Sequence, residues 1–463
     1  MARKAPYDVV IVGAGPAGIF AALELTAQPG LRVAMLEKGP DLHERISRPP
    51  GGGPPQRVGS INSGWGGAGA WSDGKLTLSC EVGGQLCTLL PAAQVTDLIA
   101  QVDRIYLDYG APDRLYGTDD QALQELAARA ALADLELIPS PVRHMGTENC
   151  MQVLEHMRAA LGGRVDIHTH TAGAELIVQE GTATGVRTAA GDFRARYVIV
   201  APGRDGAAWL TKEAERLHLE RVDNPVDVGV RVELAASTWA PLTRSAYEPK
   251  LVFYSRQFDD RVRTFCVCPE GEVVLERTDE IITVNGHSYA GRQTGNTNFA
   301  LLVTTHFTEP FHEPIAYGRY LARLANLLSE SVIVQRLGDL RAGRRSTPER
   351  IGRGHVMPTL REATPGDLSF ALPYRYLADL IEMLEALDHL APGTAGRHTL
   401  LYGVEVKFYS ARPRLSPVLE TEVRNLFAIG DGAGVTRGLV QASASGMVAA
   451  REILRRESKE ERA

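Results

Sequence analysis

The chain has 463 residues, of which 44% are hydrophobic and 23% charged, a composition typical of a globular protein and not of a disordered or fibrous one. Lysine and arginine number 50 against 56 aspartates and glutamates, and the resulting net charge of −6 argues against a nucleic-acid-binding protein. The 5 cysteines do not resemble a secreted disulfide framework, and no apolar run reaches the roughly 18 residues of a membrane-spanning helix. We therefore expect a cytoplasmic protein without a membrane span.

Residues 7–38 predict a dinucleotide-binding unit. A strand predicted at Tyr7–Val12 leads into the glycine motif of residues 13–18, GAGPAG, and a helix, and a second strand at Arg32–Leu36 precedes Glu37. The pattern G-x-G-x-x-G is weak evidence alone, but the strand before it, the helix after it and the later acidic residue make it specific. Glu37 should accept hydrogen bonds from a ribose. The predicted contacts with the dinucleotide are Gly13, Gly15, Pro16, Ala17, Gly18, Glu37 and Lys38.

Two later segments favour FAD over NAD. Residues 197–203, YVIVAPG, predict a strand similar to one that flavoproteins place beside the cofactor. Residues 421–431, TEVRNLFAIGD, are similar to the late flavin motif, whose aspartate binds the ribityl chain or the pyrophosphate. A helix beginning near Leu439 would stabilise the negative charge of a reduced flavin with its N-terminus. These segments add the predicted contacts Ala201, Gly203, Gly430, Asp431, Gly438, Leu439 and Val440. No second glycine-motif unit follows, so we expect no dedicated nicotinamide domain.

A glycine-rich loop, GWGGAGAWSDGKL, occupies residues 64–76. With so few side chains the backbone can approach a flat ring, and glycine tolerates the positive φ that such a path needs. A flexible linker is the alternative, although linkers seldom carry two tryptophans. We expect the flavin to contact Gly66, Gly67, Ala68, Ser72 and Lys75, and the substrate to contact Trp71.

Several long segments carry a resemblance to a known family. GWGGAGAWSDGKLT, TFCVCPEGEVV at 264–274, VNGHSYAGRQTGNTNFALLV at 284–303 and GVEVKFYSARP at 403–413 resemble the bacterial FAD-dependent dehydrogenases, which are glutathione-reductase-like flavoproteins related to p-hydroxybenzoate hydroxylase. The resemblance implies non-covalent FAD and redox chemistry. Relatives would read GEGAGYAGGI and GVETRTS where this chain reads GDGAGVTRGL and GVEVKFYS. These differences favour a substrate unlike that of typical relatives.

The fold class that follows is α/β, or α+β overall, with a Rossmann-like FAD-binding domain and an inserted substrate domain of antiparallel β-sheet and helices. We expect the FAD-binding domain at 1–90, 163–222 and 398–463, a helical insertion at 91–162, and the substrate domain at 223–397. Helices are predicted at 92–110, at 119–132 with Thr118 as the cap, and at 147–161, 314–329 and 374–388. Strands are predicted within 224–310, among them 228–232, 251–254, 264–267, 273–275 and 300–305.

Two pairs of side chains outside these motifs have alternative interpretations. Cys266 and Cys268 are either a redox pair or buried structural cysteines. A regular strand would hold their side chains too far apart to form a disulfide bond readily. His168 and His170 alternate on one strand face without a third ligand, so we expect no metal site.

Two further groups are candidates for substrate binding or catalysis. The loop arginines are a local basic cluster of five residues, Arg341, Arg344, Arg345, Arg350 and Arg353. They are either solvated or bind a substrate carboxylate or phosphate, and Arg344 and Arg345 are the expected contacts. If residues 403–409 are extended, Glu405, Lys407 and Tyr409 lie on one face. These residues either form structural ion pairs or act on the substrate. We expect Lys407 and Glu405 to be catalytic, and Tyr409 and Arg412 to bind substrate.

The sequence thus predicts an FAD-dependent oxidoreductase. It would dehydrogenate a small organic substrate by hydride transfer to flavin N5, while Lys407 or Glu405 removes a proton. Oxygen or another acceptor would then reoxidise the flavin, and the arginine loop would suit an anionic substrate. Two alternatives stay open: a flavin monooxygenase or ene-reductase that uses NAD(P)H, and a flavin-binding protein without catalysis.

Overall fold

The structure is a computed structural model that describes residues 6–27, 30–47, 56–57, 62–72, 74–222, 224–278, 281–288, 293–308, 310–311, 313–407 and 412–460. The chain divides into two compact units. The first consists of Met1–Arg114, Arg143–Asp223 and Ser410–Ala463, and the second of Leu115–Val142 and Asn224–Tyr409. Within the described ranges, no helix has both the length and the apolar character needed to cross a membrane.

The first unit is built on a sheet whose central strands are parallel. The path of paired strands runs Gly173–Gln179, Thr182–Thr188, Gly191–Val200, Tyr7–Val12, Val33–Leu36 and Val165–His168. A further strand, Leu426–Ala428, pairs in parallel with the end of Gly191–Val200. Tyr7–Val12 has two parallel neighbours, Gly191–Val200 on one side and Val33–Leu36 on the other. Such a central strand is covered on both faces, which explains its continuous apolar sequence.

The first unit also contains six helices among its described residues. They are Pro16–Leu25, Leu86–Leu89, Ala92–Asp108, Gly146–Leu161, Ala207–Arg216 and Leu439–Glu460. The first and last are in close contact, because a Cβ added at Gly446 would lie 2.1 Å from the Ala17 carbonyl oxygen. Shorter elements are the 3₁₀ turns Leu42–Arg45, Gly67–Trp71, Arg204–Gly206 and Asp431–Ala433, and the strands Ile46–Ser47, Gln56–Arg57, Lys75–Thr77, Arg221–Val222 and Arg412–Pro413.

The second unit is built on a largely antiparallel sheet. Its strands follow the order Thr364–Pro365, Ile333–Arg336, Leu400–Lys407, Val226–Ala235, Asn296–Thr305, Arg261–Cys268, Lys250–Tyr254 and Glu136–Ile138. A separate hairpin joins Glu272–Thr278 to Ile281–His287. The helices are Asp120–Ala131, Ala236–Ser245, Pro314–Ser329, Leu337–Arg341, Pro348–Gly352 and Tyr374–Leu390, with a 3₁₀ turn at Leu368–Phe370. Trp239 stacks on Phe299 in the core, with ring centroids 3.8 Å apart. The short strand Leu115–Tyr116 also belongs to this unit, and the strand Val142–His144 begins at the last residue of the segment Leu115–Val142.

The mixed α/β fold class is confirmed, and the helices begin and end close to the predicted residues. One local prediction is wrong: the cap of the helix Asp120–Ala131 is Asp119, not Thr118, because the Asp119 carboxylate accepts a hydrogen bond from the Ala122 amide. The strand Leu400–Lys407 belongs to the sheet of the second unit. The predicted domain boundaries themselves stay predictions.

Candidate functional site

Three glycines of the motif at residues 13–18 have different surroundings. Gly13 has a φ of +107°, and a Cβ added there would lie 2.1 Å from the Ala201 carbonyl oxygen. A Cβ at Gly18 would lie 2.0 Å from the Gly13 carbonyl oxygen. Gly15, in contrast, has an ordinary φ of −79°, and a Cβ there would meet nothing within 4 Å. Packing therefore requires glycine at positions 13 and 18, whereas Gly15 faces open space.

The helix Pro16–Leu25 begins at this open space. Gly15 is its N-cap, Pro16 lies in its first turn, and no side chain caps its amides. The first amides of a helix lack intrahelical partners and carry partial positive charge. Ala17 is buried beneath them. The helix start is therefore suited to an anionic group such as a pyrophosphate.

Glu37 joins three backbone segments. Its Oε2 accepts a hydrogen bond of 2.8 Å from the Ala14 amide, and its Oε1 accepts bonds of 2.8 and 2.9 Å from the amides of Gly39 and Gly64. The side chain is buried. A carboxylate has about four acceptor positions, so one remains for a ribose hydroxyl. Glu37 is thus a structural acceptor as well as a candidate ligand.

Lys38 lies in a different environment from its neighbour Glu37. Its Nζ is 2.5 Å from Asp205 Oδ2, and both side chains are partly exposed to solvent. Such surface ion pairs contribute little to stability. The predicted contact of Lys38 with the cofactor stays a prediction.

The glycine-rich loop lies directly on the motif of residues 13–18. The Gly66 amide donates a hydrogen bond of 2.8 Å to the Ala14 carbonyl, and a Cβ at Gly67 would lie 3.2 Å from the Gly15 Cα. Arg45, which is completely buried, donates from Nη1 to the Gly67 carbonyl at 3.0 Å. The loop is therefore an ordered part of this site, which argues against a flexible linker.

The other predicted contacts of this loop lie in or after its 3₁₀ turn, Gly67–Trp71. Ala68 lies within the turn. Ser72 ends the turn, and its Oγ donates 2.9 Å to the Gly69 carbonyl. Lys75 follows in the strand Lys75–Thr77. Trp71 is half-buried, and its Nε1 is buried without an acceptor in the described part of the chain. An unused indole donor can serve a ligand.

The late segment approaches the same region. A Cβ at Gly430 would lie 3.0 Å from the Ala17 Cβ, and one at Gly432 would lie 2.2 Å from the Gly203 carbonyl oxygen. Ala201 is held by a hydrogen bond of 2.7 Å from its amide to the Val12 carbonyl. Gly203 itself has a φ of +60° and open space on its Cβ side. The strand end at 201–203 and the late motif therefore lie side by side.

Asp431 begins the turn that leads to the helix Leu439–Glu460. Its Oδ1 accepts a hydrogen bond of 2.8 Å from Thr436 Oγ. Burial raises the pKa of Asp431, although the charge of Arg437 and the bond from Thr436 oppose the shift. Gly438 precedes the helix with a φ of +91° and open space on its Cβ side.

The start of this last helix is in contact with the glycine-rich loop. A Cβ at Gly69 would lie 2.7 Å from Leu439 Cδ2 and 3.3 Å from Pro16 Cγ. Val440 is buried behind Leu439. The next residue, Gln441, donates from Nε2 to the Val82 carbonyl, while its buried Oε1 lacks a donor within the described ranges. The sequence analysis did not single out Gln441 or Arg45, since neither belongs to a recognisable motif.

The first unit thus brings four glycine-containing segments together: residues 13–18, 64–72, 201–203 and 430–440. Their backbone leaves open faces at Gly15, Gly203 and Gly438. Unused polar atoms lie at Trp71 Nε1 and Gln441 Oε1. An elongated dinucleotide needs close backbone approach together with a few polar contacts. The residues present therefore fit FAD.

The second unit contains the predicted catalytic pair in a buried charge network. Glu405 Oε1 lies 3.2 Å from Lys407 Nζ and 3.6 Å from Arg231 Nη1, and Lys407 Nζ lies 3.3 Å from Glu276 Oε2. Glu405 and Arg231 are completely buried. Burial alone would lower the pKa of Lys407, but the carboxylates of Glu405 and Glu276 outweigh it and raise the pKa. Lys407 therefore carries a proton at neutral pH.

Cys266 and Cys268 border this network. The strand is bulged between Phe265 and Cys268, and Cys266 has a φ of +46°. The two Sγ atoms are consequently 3.9 Å apart, closer than the regular strand assumed from the sequence would hold them. Arg231 Nη2 lies 3.2 Å from Cys268 Sγ. The two cysteines are not joined in a disulfide.

The predicted substrate residues lie in separate places. Arg344 lines a cavity of the second unit that is described below, whereas Arg345 is exposed and its carbonyl accepts a bond from Arg350. Arg412 belongs to the first unit, where its Nη1 lies 3.4 Å from Thr88 Oγ and burial lowers its pKa. Tyr409 lies outside the described residues.

Comparison with family models agrees with this geometry. A model described as "FAD binding domain" matches residues 8–47, and one described as "FAD-dependent protein, C-terminal domain-like" matches residues 226–408. A third, "Glucose inhibited division protein A", matches residues 359–461. The first match covers the motif of residues 13–18 and Glu37, so the chain is an FAD-binding flavoprotein with a Rossmann-type domain.

Individual proteins provide more distant comparisons. An uncharacterised protein of Clostridium beijerinckii is 26% identical over 476 residues, which cover 96% of this chain and 80% of that protein. Among solved structures, glycine oxidase from Geobacillus kaustophilus is 15% identical with a TM-score of 0.41, covering 98% of this chain and 95% of its own. L-proline dehydrogenase from P. horikoshii is 12% identical with a TM-score of 0.39, covering 97% and 94%.

Proposed function

We propose that this protein dehydrogenates a small organic substrate and that its FAD is bound non-covalently by the first unit. The observation that carries the proposal is the convergence of residues 13–18, 64–72, 201–203 and 430–440 around the open face of Gly15. When bound, FAD supplies the electron acceptor for a hydride from the substrate. The remaining steps depend on what this chain's own residues hold and orient.

Each segment has a proposed role in holding the cofactor. The backbone at Gly15 and the start of the helix Pro16–Leu25 would bind the pyrophosphate. The free acceptor position of Glu37 would bind the adenosine ribose. The start of the helix Leu439–Glu460 would favour negative charge on the isoalloxazine. Trp71 Nε1 is available to a ligand acceptor because it has none among the described residues.

We assign substrate positioning to the charge network of Glu405 and Lys407. Burial alone would lower the pKa of Lys407, but Glu405 and Glu276 outweigh it and raise the pKa, so Lys407 keeps its proton and is suited to attract an anionic group, and not to exchange a proton with the substrate. Glu405 would hold Lys407 in place through their 3.2 Å contact. This assignment favours a substrate that carries, or develops, negative charge.

The first test uses the FAD-loaded protein under anaerobic conditions. Small amino acids, hydroxy acids and amines are mixed with it, and the visible flavin absorption is followed. Bleaching by a member of this panel is the expected result. If none bleaches the flavin while NADH or NADPH does so rapidly, the protein is a reductase or a monooxygenase instead.

The second test concerns the charge network. Lys407→Gln and Glu405→Gln should lower the rate of bleaching by the active substrate, and a thermal unfolding curve of each variant shows whether it remains folded. Arg341→Gln, which removes a cation outside this network, is the control. If both network variants are folded and bleach at the unaltered rate, the assignment of Lys407 and Glu405 is wrong.

A further inference from the structure

A cavity of about 330 Å³ in the second unit is lined almost entirely by cationic side chains. Its wall combines the end of the strand Ile333–Arg336, the loop and short helix that follow, and the residues just before the strand Leu400–Lys407. The lining residues are Arg336, Arg344, Arg350, Arg353, Arg397 and His398. A volume of this size accommodates a small ligand.

One buried carboxylate organises the arginine loop. Asp339 is completely buried, and it accepts paired hydrogen bonds of 2.9 and 3.0 Å from Arg336. It also accepts bonds from Arg344 Nε at 3.0 Å and from Ser346 Oγ at 2.8 Å. Burial alone would raise the pKa of Asp339, but these donors outweigh it and lower the pKa to about 2. Asp339 is therefore ionised at neutral pH and keeps its hydrogen bonds to the loop there.

Further hydrogen bonds hold the loop from its other side. The Arg336 amide donates 2.9 Å to Ser346 Oγ, and Gln335 Nε2 donates 3.0 Å to the Arg344 carbonyl. Gln335 and Ser346 are buried. Arginines that only face solvent on a surface loop would not need these hydrogen bonds. A binding site, in contrast, benefits from side chains that are already oriented before the ligand arrives.

The arginines that line the cavity carry more positive charge than the neighbouring carboxylates neutralise. Asp339 supplies one negative charge to Arg336 and Arg344 together. Arg350 Nη1 donates to the Arg345 carbonyl and Arg353 Nε to the Glu349 carbonyl, at 2.7 and 3.2 Å. Neither these two arginines nor Arg397 has a carboxylate within ion-pair distance in the described part of the chain. Carbonyls satisfy donors but leave the charge uncompensated.

Glu349, which does not line the cavity, offsets only part of this positive charge, and the histidine of the wall adds none. Hydrogen bonds in its own turn, and then the charges of Arg353 and Arg345, lower the pKa of Glu349, which faces solvent. Burial, His355, Arg397 and Arg336 lower the pKa of His398. His398 is therefore neutral at physiological pH and adds no charge of its own.

We propose that this cavity binds a small phosphate-bearing anion with at least two negative charges. The guanidinium fork matches phosphate oxygens in pairs, and several forks around one small volume favour concentrated charge over a single carboxylate. The site is defined within the second unit and is independent of the proposed dehydrogenation. Its occupant would be a free phosphate-bearing anion or the phosphate group of a larger ligand.

The test measures binding of inorganic pyrophosphate to the FAD-loaded protein by isothermal titration calorimetry. Loaded protein is used so that pyrophosphate cannot occupy the cofactor's own phosphate position. Saturable binding is expected, and Arg350→Gln and Arg397→Gln should each weaken it about tenfold or more. Arg341→Gln is the matched control, since Arg341 pairs with Glu385 and does not line the cavity.

Two comparisons make the result decisive. Arg350→Lys keeps the charge but loses the fork, so it should bind more weakly than the parent protein. Citrate, a polycarboxylate of similar charge, should bind more weakly than pyrophosphate. The proposal is overturned by absence of binding, by equal or tighter binding of citrate, or by an equal loss in Arg341→Gln. The visible flavin spectrum reports on FAD separately, so failure here leaves the proposed function untouched.

Discussion

The environment of Gly15 gives the sharpest prediction about the cofactor site. A methyl group added there meets no atom of the protein within 4 Å, and the φ of −79° is available to alanine. Alanine is a poorer helix N-cap than glycine, so Gly15→Ala should cost about 1 kcal/mol of folding stability. The same methyl would stand where the pyrophosphate must approach the backbone. We expect FAD affinity to fall about 10- to 100-fold, which corresponds to about 1.4–2.7 kcal/mol.

Two other glycines serve as comparisons. Gly13→Ala places its Cβ 2.1 Å from the Ala201 carbonyl oxygen and requires a φ of +107°, so it should destabilise the fold itself. The strained φ alone costs about 1–3 kcal/mol. Gly295→Ala, in the second unit, also places its Cβ in open space, so it should change neither FAD affinity nor folding stability. The three variants therefore separate loss of cofactor from loss of folding.

The assay combines thermal unfolding of the cofactor-free proteins with FAD titration followed by flavin fluorescence. Gly15→Ala should unfold at nearly the parent temperature and bind FAD weakly. If Gly15→Ala binds FAD as tightly as the parent protein, the pyrophosphate does not approach this glycine and the reasoning fails. If it is as unstable as Gly13→Ala, the open space at Gly15 has been misjudged.

Three further predictions concern stability and pH. Glu37→Gln replaces one acceptor oxygen with a donor and leaves a backbone amide unsatisfied, so chemical denaturation should show a loss of about 1–3 kcal/mol, together with weaker FAD binding. Burial and the nearby Asp260 raise the pKa of Asp379 to about 7 from 3.8. The proton on Asp379 makes its full contribution to the free energy of unfolding below pH 3.8. This contribution is lost as the pH rises towards 7, by up to about 1.4 kcal/mol per pH unit. Asp379→Asn should therefore raise the melting temperature at pH 8 and change it little at pH 4, and equal effects at both values would contradict this. Asp339→Asn removes the charge that pairs with buried Arg336 and should cost about 3 kcal/mol at pH 7 in a denaturant titration, whereas an unchanged midpoint would show that the loop does not depend on it.

The dinucleotide-binding unit was predictable because its signals are local. The strand Tyr7–Val12, the motif of residues 13–18 and the acidic residue after the next strand follow one another within one short stretch. The convergence of four glycine-containing segments was predictable only by analogy with flavoproteins. The use of Glu37 as an acceptor for three amides was not, because two of its donors, Gly39 and Gly64, belong to a loop whose path no pattern reveals.

Several features of the second unit could not be predicted from sequence patterns. Cys266 and Cys268 were placed by a regular two-residue period, but the bulge beside them changes their spacing, and bulges have no clear signal in a single sequence. The loop arginines were recognised as a cluster, yet Arg336, Arg397 and His398 join them only because Ile333–Arg336 pairs with Leu400–Lys407. Arg231, the buried partner of Glu405, was missed for the same reason. Long-range strand pairing, and not local propensity, assembles both sites.

The central claim is that this chain carries FAD, and the purified protein tests it most directly. Its visible absorption spectrum should show an oxidised flavin, and acid precipitation should release FAD into the supernatant because we propose non-covalent binding. Mass spectrometry of the released compound identifies it as FAD. A colourless protein that does not regain a flavin spectrum on incubation with FAD would contradict the account.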